Sequence, residues 1–322
     1  GAESWCFLLS ENEEAKERLQ TFSQTNDGFE IAEVDLKLRG PGDMMGTKQS
    51  GILDFKIADI IKDNKILLYA RKEVDQLLLD VALHKAGVTF VLDRAGVTGD
   101  DGPSHNGMWD LALTGIVPTL HVAAPRDGER VKETLREALD ISDAPSLIRF
   151  PKGAVNADIP AFERRDGIDV LYRGESADVL LVSIGAFAAI AVEAAAQTYR
   201  EGVGVTVIDP RWVKPLPKSL ITMAQRYKNV VVLEDGIKHG GIASTISEMF
   251  RDAQLNVPVH SIGLPLEFLE HAKRAEILED LGITVQNIAR SLVTWHSSVV
   301  ASDTKEEMQL PADENEHRKP LR

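Results

Sequence analysis

The chain has 322 residues, a hydrophobic fraction of 43%, a charged fraction of 27% and a formal net charge of −14. These values are typical of a globular protein with room for two domains. The negative charge argues against general affinity for nucleic acid, because such binding depends on Lys and Arg contacts to phosphates. The single cysteine, Cys6, cannot form an internal disulfide, so we expect a reducing, cytoplasmic location. We find neither a membrane-spanning apolar run nor a signal peptide.

Residues 1–73 predict a small, mainly helical segment. The apolar run Trp5–Leu9 is typical of a short strand, and Glu11–Phe22 has the periodicity of a charged amphipathic helix. Arg39–Asp43 contains Gly-Pro-Gly and interrupts the pattern. Closely spaced apolar residues after Phe55 indicate one or two further helices.

This first segment resembles the region that follows the last helicase motif in RecG-type branch-migration helicases. The matching stretches include Thr25–Ala32, Leu38–Asp43, Gln49–Gly51 and Phe55–Asp59. In that family the region couples ATP hydrolysis to movement along duplex DNA. A motor also requires a phosphate-binding loop of the form G-x-x-x-x-G-K-[ST], which this sequence lacks. We therefore expect no motor activity and no nucleic-acid partner, with a helicase-related DNA accessory as an open alternative.

The first segment joins the next one inside a helix. The pattern of Arg71–Leu83 predicts one amphipathic helix without linker residues. The RecG likeness ends near Arg71, and a second likeness begins near Asp75. Natural domains normally join through exposed, flexible segments. A junction inside a helix therefore indicates a spliced, rearranged or artificially joined sequence.

Alternating strands and helices are predicted from Asp75 to Gly153. They are strand Val88–Leu92, helix Gly107–Leu113, strand His121–Ala123, helix Arg130–Leu139 and strand Ser146–Phe150. This alternation predicts an α/β fold built on a parallel sheet.

The loop Leu92–Gly107 follows the first of these strands. Its glycines and proline allow tight turns, and it carries the ionisable side chains of Arg94, Asp101 and His105. Open α/β sheets bind ligands in such loops, but an ordinary surface loop whose polar side chains bind their own backbone fits the pattern equally. A metal site at Asp100 and Asp101 is not expected, because two carboxylates are too few ligands.

The sequence LDRAGVTGDDGPSHNGMWDLAL, at residues 92–113, resembles the signature of the 1-deoxy-D-xylulose 5-phosphate synthases, which are thiamine-diphosphate-dependent members of the transketolase superfamily. The likeness continues through Ala124–Asp127 and Arg149–Gly153 to about residue 290. It implies a transferase that condenses pyruvate with a small phosphorylated aldehyde, glyceraldehyde 3-phosphate, and releases carbon dioxide. The product serves isoprenoid-precursor and thiamine biosynthesis. The implied cofactors are thiamine diphosphate and Mg²⁺.

The same resemblance assigns roles to four residues. Arg94 and Lys152 would hold the phosphate of the acceptor aldehyde, and two loops that follow separate strands can supply such cations. Many family members have Arg where this chain has Lys152, which keeps the charge but loses the fork geometry. Asp101 and His105 match the catalytic acidic and imidazole positions that meet substrate hydroxyl groups. The alternative for His105 is a hydrogen-bonding role that only orders the loop.

The resemblance covers only part of such an enzyme. Residues 74–165 correspond to the later part of the pyrimidine-binding domain, which makes this domain incomplete. We find neither the glutamate motif that activates the cofactor nor the diphosphate domain that holds Mg²⁺. Cofactor-binding residues therefore stay unassigned, no metal ligands are expected, and we expect this chain alone to be inactive. The expected partner is a second copy of the chain or a chain that supplies the missing half.

Residues 170–300 predict a second α/β domain, which resembles the transketolase C-terminal domain and chiefly supports dimerisation in the family. Its predicted elements are strands 178–185, Val203–Ile208, Asn229–Glu234 and Val257–Ile262 and helices Ala188–Tyr199, Ser219–Arg226 and Gly241–Arg251. Their alternation predicts a mostly parallel sheet covered on both faces. At His239–Gly241 a helix-initiating turn is favoured over an anion site of backbone amides. The pattern weakens beyond Val293, and residues 301–322 predict a disordered tail.

Overall fold

Alternating strands and helices build the described part of the chain, which comprises residues 79–155 and 157–309 of the computed structural model. The strands are β1 (Thr89–Leu92), β2 (His121–Ala123), β3 (Ser146–Arg149), β4 (Glu163–Arg165), β5 (Ile168–Tyr172), β6 (Val179–Ile184), β7 (Val205–Asp209), β8 (Trp212–Lys214), β9 (Asn229–Ile237) and β10 (Val259–Leu264). The α-helices named below are α1 (Asp110–Gly115), α2 (Gly128–Leu139), α3 (Ala188–Thr198), α4 (Ser219–Ala224), α5 (Ile242–Asp252), α6 (Arg274–Asp280) and α7 (Val285–Gln309). The predicted helical segment at residues 1–73 lies outside the described residues.

The smaller sheet has the strand order β1-β3-β2-β8. Its first three strands are parallel, and every residue of the central strand β3 is buried. The antiparallel strand β8 comes from the C-terminal region and pairs Trp212 with Ala123. The sequence pattern did not predict β8, because this short strand lies between Pro210 and Pro215 and has no extended apolar run.

The larger sheet has the strand order β10-β9-β6-β7-β5-β4. Strands β10, β9, β6 and β7 are parallel, which confirms the predicted fold class. Strand β5 pairs antiparallel with β7, and β4 pairs antiparallel with β5. The β4–β5 hairpin was not predicted, because the residues of β4 are all charged. Its turn, Asp166-Gly167, has positive φ angles of 47° and 84°. An Asp-Gly pair in this conformation is a strong hairpin signal.

The central strands of the larger sheet are buried on both faces. Val179 and Leu181 of β6 belong to the core cluster that includes α3 and α7 residues, while Leu180 and Val182 belong to the cluster that includes α5 residues. Successive strand residues point to opposite faces, so the continuous apolar run of β6 serves both cores. Val97, from the loop after β1, belongs to the first cluster. The loop is therefore anchored in the core of the larger sheet.

Helix α7 extends into the predicted tail. We predicted disorder from residue 301, but α7 continues to Gln309. Its first half packs Ile288 and Leu292 into the core, and the Lys, Glu and Met residues of its last turns are good helix formers. Residues 310–322 lie outside the described residues. Among the described helices, none combines the length and apolarity needed to cross a membrane.

Candidate functional site

The loop Leu92–Gly107 and Lys152 lie at the same edge of the smaller sheet. The loop follows β1, and Lys152 follows β3. These two strands are parallel neighbours, with Leu92 opposite Arg149. Their carboxyl ends therefore lie side by side, at the edge where open α/β sheets bind ligands.

Asp101 joins the two cations of this edge. Arg94 Nε donates to Asp101 Oδ2 at 3.0 Å, and Lys152 Nζ donates to Oδ1 at 2.5 Å. Arg94 Nη1 also lies 3.6 Å from Asp93 Oδ2. The Arg94 and Lys152 side chains are 43% and 45% exposed, and Asp101 is 20% exposed. Two solvent-accessible cations thus converge on one carboxylate.

The two cations stabilise the ionised form of Asp101. The hydrogen bond from Lys152 has the largest effect and lowers the pKa of Asp101; burial opposes this shift, and Arg94 reinforces it. Asp101 is therefore a carboxylate at neutral pH and only accepts hydrogen bonds. An anion that binds Arg94 and Lys152 must compete with Asp101 for their N–H groups.

His105 is placed apart from the other predicted site residues. It ends the 3₁₀ helix Pro103–His105 and is exposed. Its described hydrogen bond joins His105 Nδ1 and Ser104 Oγ at 3.2 Å. Within the described contacts, Arg94, Asp101 and Lys152 come together, and His105 does not touch them.

Asn106 and Ala95 fix the two ends of the loop. Asn106 is buried, and its Oδ1 accepts hydrogen bonds from the Thr98 N–H at 2.9 Å and from the Thr98 hydroxyl at 3.0 Å. The Ala95 N–H donates to the Phe150 carbonyl at 3.0 Å, next to the segment that carries Lys152. Polar loop residues thus bind the loop's own backbone, and the same bonds hold Arg94 near Lys152. The sequence reasoning did not single out Asn106.

Arg149 and Asp235 form a buried contact at the end of the loop. Arg149 Nη2 donates to the Asp235 carbonyl at 2.9 Å and to the Gly107 carbonyl at 3.3 Å. Arg149 Nε lies 3.5 Å from Asp110 Oδ2. Burial raises the pKa of Asp110, against the effect of Arg149. The sequence reasoning assigned no role to Arg149 or Asp235, although both lie near the carboxyl ends of strands, which is where ligand sites are expected.

The helix α5, which begins after the turn at His239–Gly241, directs its first two amides to the chain itself. Glu234 of β9 is fully buried, and its carboxylate accepts hydrogen bonds from the N–H groups of Ile242 at 2.8 Å and Ala243 at 3.1 Å. Burial raises the pKa of Glu234 to about 7, although these two bonds oppose the shift. The amides that an external anion would need are therefore already bonded, in agreement with the favoured turn.

Arg126 connects the two sheets. It follows β2 and is fully buried, and its Nη1 donates at 2.7 Å to both Asp169 of β5 and Asp209 of β7. Its Nε and Nη2 donate to the Ile159 carbonyl. Burial raises the pKa of Asp209 to about 6, although Arg126 opposes this shift. This network holds the smaller sheet, with its site, against the larger one.

The described residues do not fit a magnesium diphosphate site. Among them, no group of three or more His, Cys, Asp or Glu side chains could hold a metal ion. At the loop, both oxygens of Asp101 are bonded to cations, which would repel Mg²⁺. The donor set at Arg94 and Lys152 instead fits a small anion.

Two regions of the chain match transketolase domains. Residues 70–157 match the transketolase pyrimidine binding domain, and residues 169–288 match the transketolase C-terminal domain. These two regions of the chain belong to the transketolase family. Among solved structures, a split-gene transketolase described as an inactive β4 tetramer is 26% identical with a TM-score of 0.59, covering 71% of this chain and 72% of that one. Transketolase from Campylobacter jejuni, 19% identical with a TM-score of 0.56 over 71% of this chain and 34% of that one, shares the fold.

Similar sequences indicate which transketolase-family proteins the chain resembles. The 1-deoxy-D-xylulose-5-phosphate synthase of Mycolicibacterium vanbaalenii is 52% identical over 248 residues, which are 76% of this chain and 39% of the relative. The synthase of Leifsonia xyli is 50% identical over 247 residues, 76% of this chain and 38% of the relative. The chain therefore spans well under half the length of these relatives. Residues 25–93 match the C-terminal part of domain 3 of the ATP-dependent DNA helicase RecG. Both resemblances inferred from the sequence are confirmed.

Proposed function

We propose that this chain is the acceptor-binding portion of a 1-deoxy-D-xylulose-5-phosphate synthase-type transferase. Residues 74–165 hold the phosphate of glyceraldehyde 3-phosphate at Arg94 and Lys152, and residues 170–300 support a cytoplasmic oligomer. Asp101 and His105 contact the hydroxyl groups of the acceptor. The observation that carries the proposal is the convergence of both cations on Asp101 at the ends of neighbouring parallel strands.

A phosphate group suits the two cations better than Asp101 does. Phosphate carries about two charges at neutral pH and more acceptor oxygens than a carboxylate, so it can bond Arg94 and Lys152 at the same time. The Arg94 and Lys152 side chains are 43% and 45% exposed, so their ion pairs with Asp101 are weak and are given up at little cost. We therefore expect bound phosphate to replace Asp101 on the cations and to free its carboxylate for the substrate's hydroxyl groups.

Calorimetric titration with glyceraldehyde 3-phosphate, and with inorganic phosphate as the minimal ligand, tests the site. Arg94→Ala and Lys152→Ala each remove a charge-assisted bond worth about 1.5–3 kcal/mol, so each should weaken binding by about 10-fold to 100-fold. Asp101→Asn removes the competing charge and should strengthen binding of inorganic phosphate. Arg251→Gln is the control, because Arg251 is 72% exposed and pairs with Glu248 on its own helix. Binding that survives both cation substitutions unchanged would exclude this site.

We infer that the cofactor half of the reaction comes from polypeptide outside the described residues. The transketolase family depends on thiamine diphosphate, which supplies the carbanion chemistry when bound, yet the described donor set does not fit its metal. The relatives are far longer than the matched region, and a similar split-gene transketolase is described as inactive as a β4 tetramer. These observations support a requirement for a second copy of the chain or for polypeptide that supplies the missing half.

Two measurements test this requirement. Light scattering after size exclusion should show a dimer or a larger assembly, and a monomer would count against it. An assay of pyruvate and glyceraldehyde 3-phosphate with thiamine diphosphate and Mg²⁺ should give no product from the purified chain. Measurable product would refute the requirement for further polypeptide.

The RecG match favours a second candidate function, DNA binding through residues 25–93. The net charge of −14 opposes it. Fluorescence anisotropy with branched duplex DNA tests this candidate function. Absence of binding at about 100 mM salt removes it, because a functional contact must persist near physiological ionic strength.

A further inference from the structure

Arg274, at the start of α6, contacts the loop Leu92–Gly107 from the C-terminal region. Its Nη1 donates to the Val97 carbonyl at 2.7 Å, and its Nη2 donates to Asp235 Oδ2 at 2.6 Å. Its guanidinium carbon lies 5.7 Å from the centroid of the buried Phe187 ring, and the side chain is 25% exposed. One arginine thus binds the backbone of the loop and a carboxylate of β9 together.

Two glycines of the loop make room for this contact. Gly96 has a φ angle of +69°, and a Cβ atom there would lie 2.0 Å from Asp235 Oδ1. Gly99 has a φ angle of +74°, and a Cβ atom there would lie 2.6 Å from the Arg274 backbone nitrogen. A side chain would oppose both the backbone conformation and the close approach. The loop is therefore shaped to receive Asp235 and Arg274.

The contact extends to the residue before Asp101. His271 Nε2 lies 2.8 Å from the Asp100 carbonyl oxygen. The segment His271–Arg274 therefore holds the loop on both sides of Gly99, at Val97 and at Asp100. Of these two anchors, Arg274 is the stronger, because its hydrogen bond is charge-assisted and its partner Asp235 is buried.

We propose that Arg274 is a positioning residue for the acceptor-phosphate site. In the described contacts it touches none of Arg94, Asp101 and Lys152. It acts through the loop backbone, which it fixes so that Arg94 and Asp101 face Lys152. The identity of the ligand rests on the proposed function, whereas the ordering of the loop does not depend on it.

Hydrogen exchange and phosphate titration of the full chain test this role. In Arg274→Gln we expect at least tenfold faster amide exchange over residues 95–107, unchanged exchange in β6, and at least fivefold weaker binding of inorganic phosphate. Arg274→Lys keeps the charge beside Asp235 but cannot fork to Val97, so it should restore part of the phosphate affinity while the loop still exchanges faster than in the wild type. The exposed-arginine control, Arg251→Gln, should change neither quantity.

The outcomes separate this inference from the proposed function. Unchanged loop exchange in Arg274→Gln overturns the inference, and so does faster exchange with unchanged phosphate affinity. If the wild type binds no phosphate but the variant loop exchanges faster, the proposed function fails and the positioning of the loop stands. If β6 also loses protection in Arg274→Gln, Arg274→Lys decides: faster exchange confined to the loop supports the inference, and wild-type exchange overturns it.

Discussion

Replacing Gly96 with alanine tests the packing of Asp235 against the loop. The new Cβ atom would lie 2.0–2.2 Å from the Asp235 carboxylate atoms, so the carboxylate must move and its 2.6 Å ion pair with Arg274 must open. The positive φ angle adds about 1–2 kcal/mol of strain, and breaking a buried ion pair costs about 3–5 kcal/mol. Because Arg274 is 25% exposed, we take the lower end of the second range. We expect the free energy of unfolding to fall by about 4 kcal/mol.

Gly202→Ala is the matched control for Gly96→Ala. Gly202 has a φ angle of +75°, and no atom lies within 4 Å of a Cβ built there. The control therefore carries the same backbone strain without the collision, and we expect it to lose about 1–2 kcal/mol. Urea denaturation followed by far-UV circular dichroism measures both losses. The difference, about 3 kcal/mol, is assigned to the contact of Asp235 with Arg274.

A double substitution sharpens the result. Asp235→Ala removes the three atoms nearest to the added methyl group at Gly96, so the cost of that group should fall towards that of Gly202→Ala. Equal losses for Gly96→Ala and Gly202→Ala in the wild-type background would refute the packing of Asp235 against the loop. So would a cost at Gly96 that is the same with and without the Asp235 carboxylate.

Two further predictions concern buried charges. The pKa of Glu234 is about 7 in the folded state against an ordinary value of 4.5, so the folded protein holds the extra proton and stability falls as pH rises between these values, by up to about 3 kcal/mol. Glu234→Gln should flatten the pH dependence of urea unfolding between pH 4.5 and 7. An unchanged dependence would contradict the raised pKa of the buried Glu234 carboxyl group. Arg126→Met leaves Asp209 without its cation, and Asp169 with Arg164 alone; it should cost at least about 3 kcal/mol in the same assay. Recovery on adding Asp209→Asn is expected, and a loss under about 1 kcal/mol would show that the network is not stabilising.

Local sequence patterns predicted the strands and helices that depend mainly on their own residues. The strand His121–Ala123 lies where predicted, β6 is one residue shorter than predicted at each end, and α3 is one residue shorter at its C-terminal end. Each combines an unbroken apolar run or an Ala-rich helix with clear boundaries. Strand β8 escaped prediction because its pairing partner β2 lies about 90 residues earlier in the chain, and short strands are recognised mainly through such partners.

The residues of the candidate site also separate into those that the local sequence predicts and those that it does not. The grouping of Arg94 and Lys152 could be anticipated, because both residues follow strands and parallel strands end at one edge. Arg274 could not, since it lies 177 residues from the Val97 carbonyl that it binds and stands in an ordinary polar stretch. Gly96 and Gly99 were recognised as turn residues, but the side chain that faces Gly96 comes from β9 and the backbone that faces Gly99 comes from the start of α6. A glycine pattern shows that something approaches closely without showing what it is.

The position of Asp101 links acceptor binding to the chemistry proposed for the loop. Arg94 and Lys152 repel each other, and Asp101 offsets this repulsion, so the two cations can stand together before any ligand arrives. A phosphate that takes both cations removes the partners that lower the pKa of Asp101. The carboxylate then becomes a better proton acceptor at the moment when the acceptor is held. Under the proposed function, phosphate binding and the activation of Asp101 would therefore be coupled, and the pH dependence of phosphate affinity measures this coupling without the cofactor.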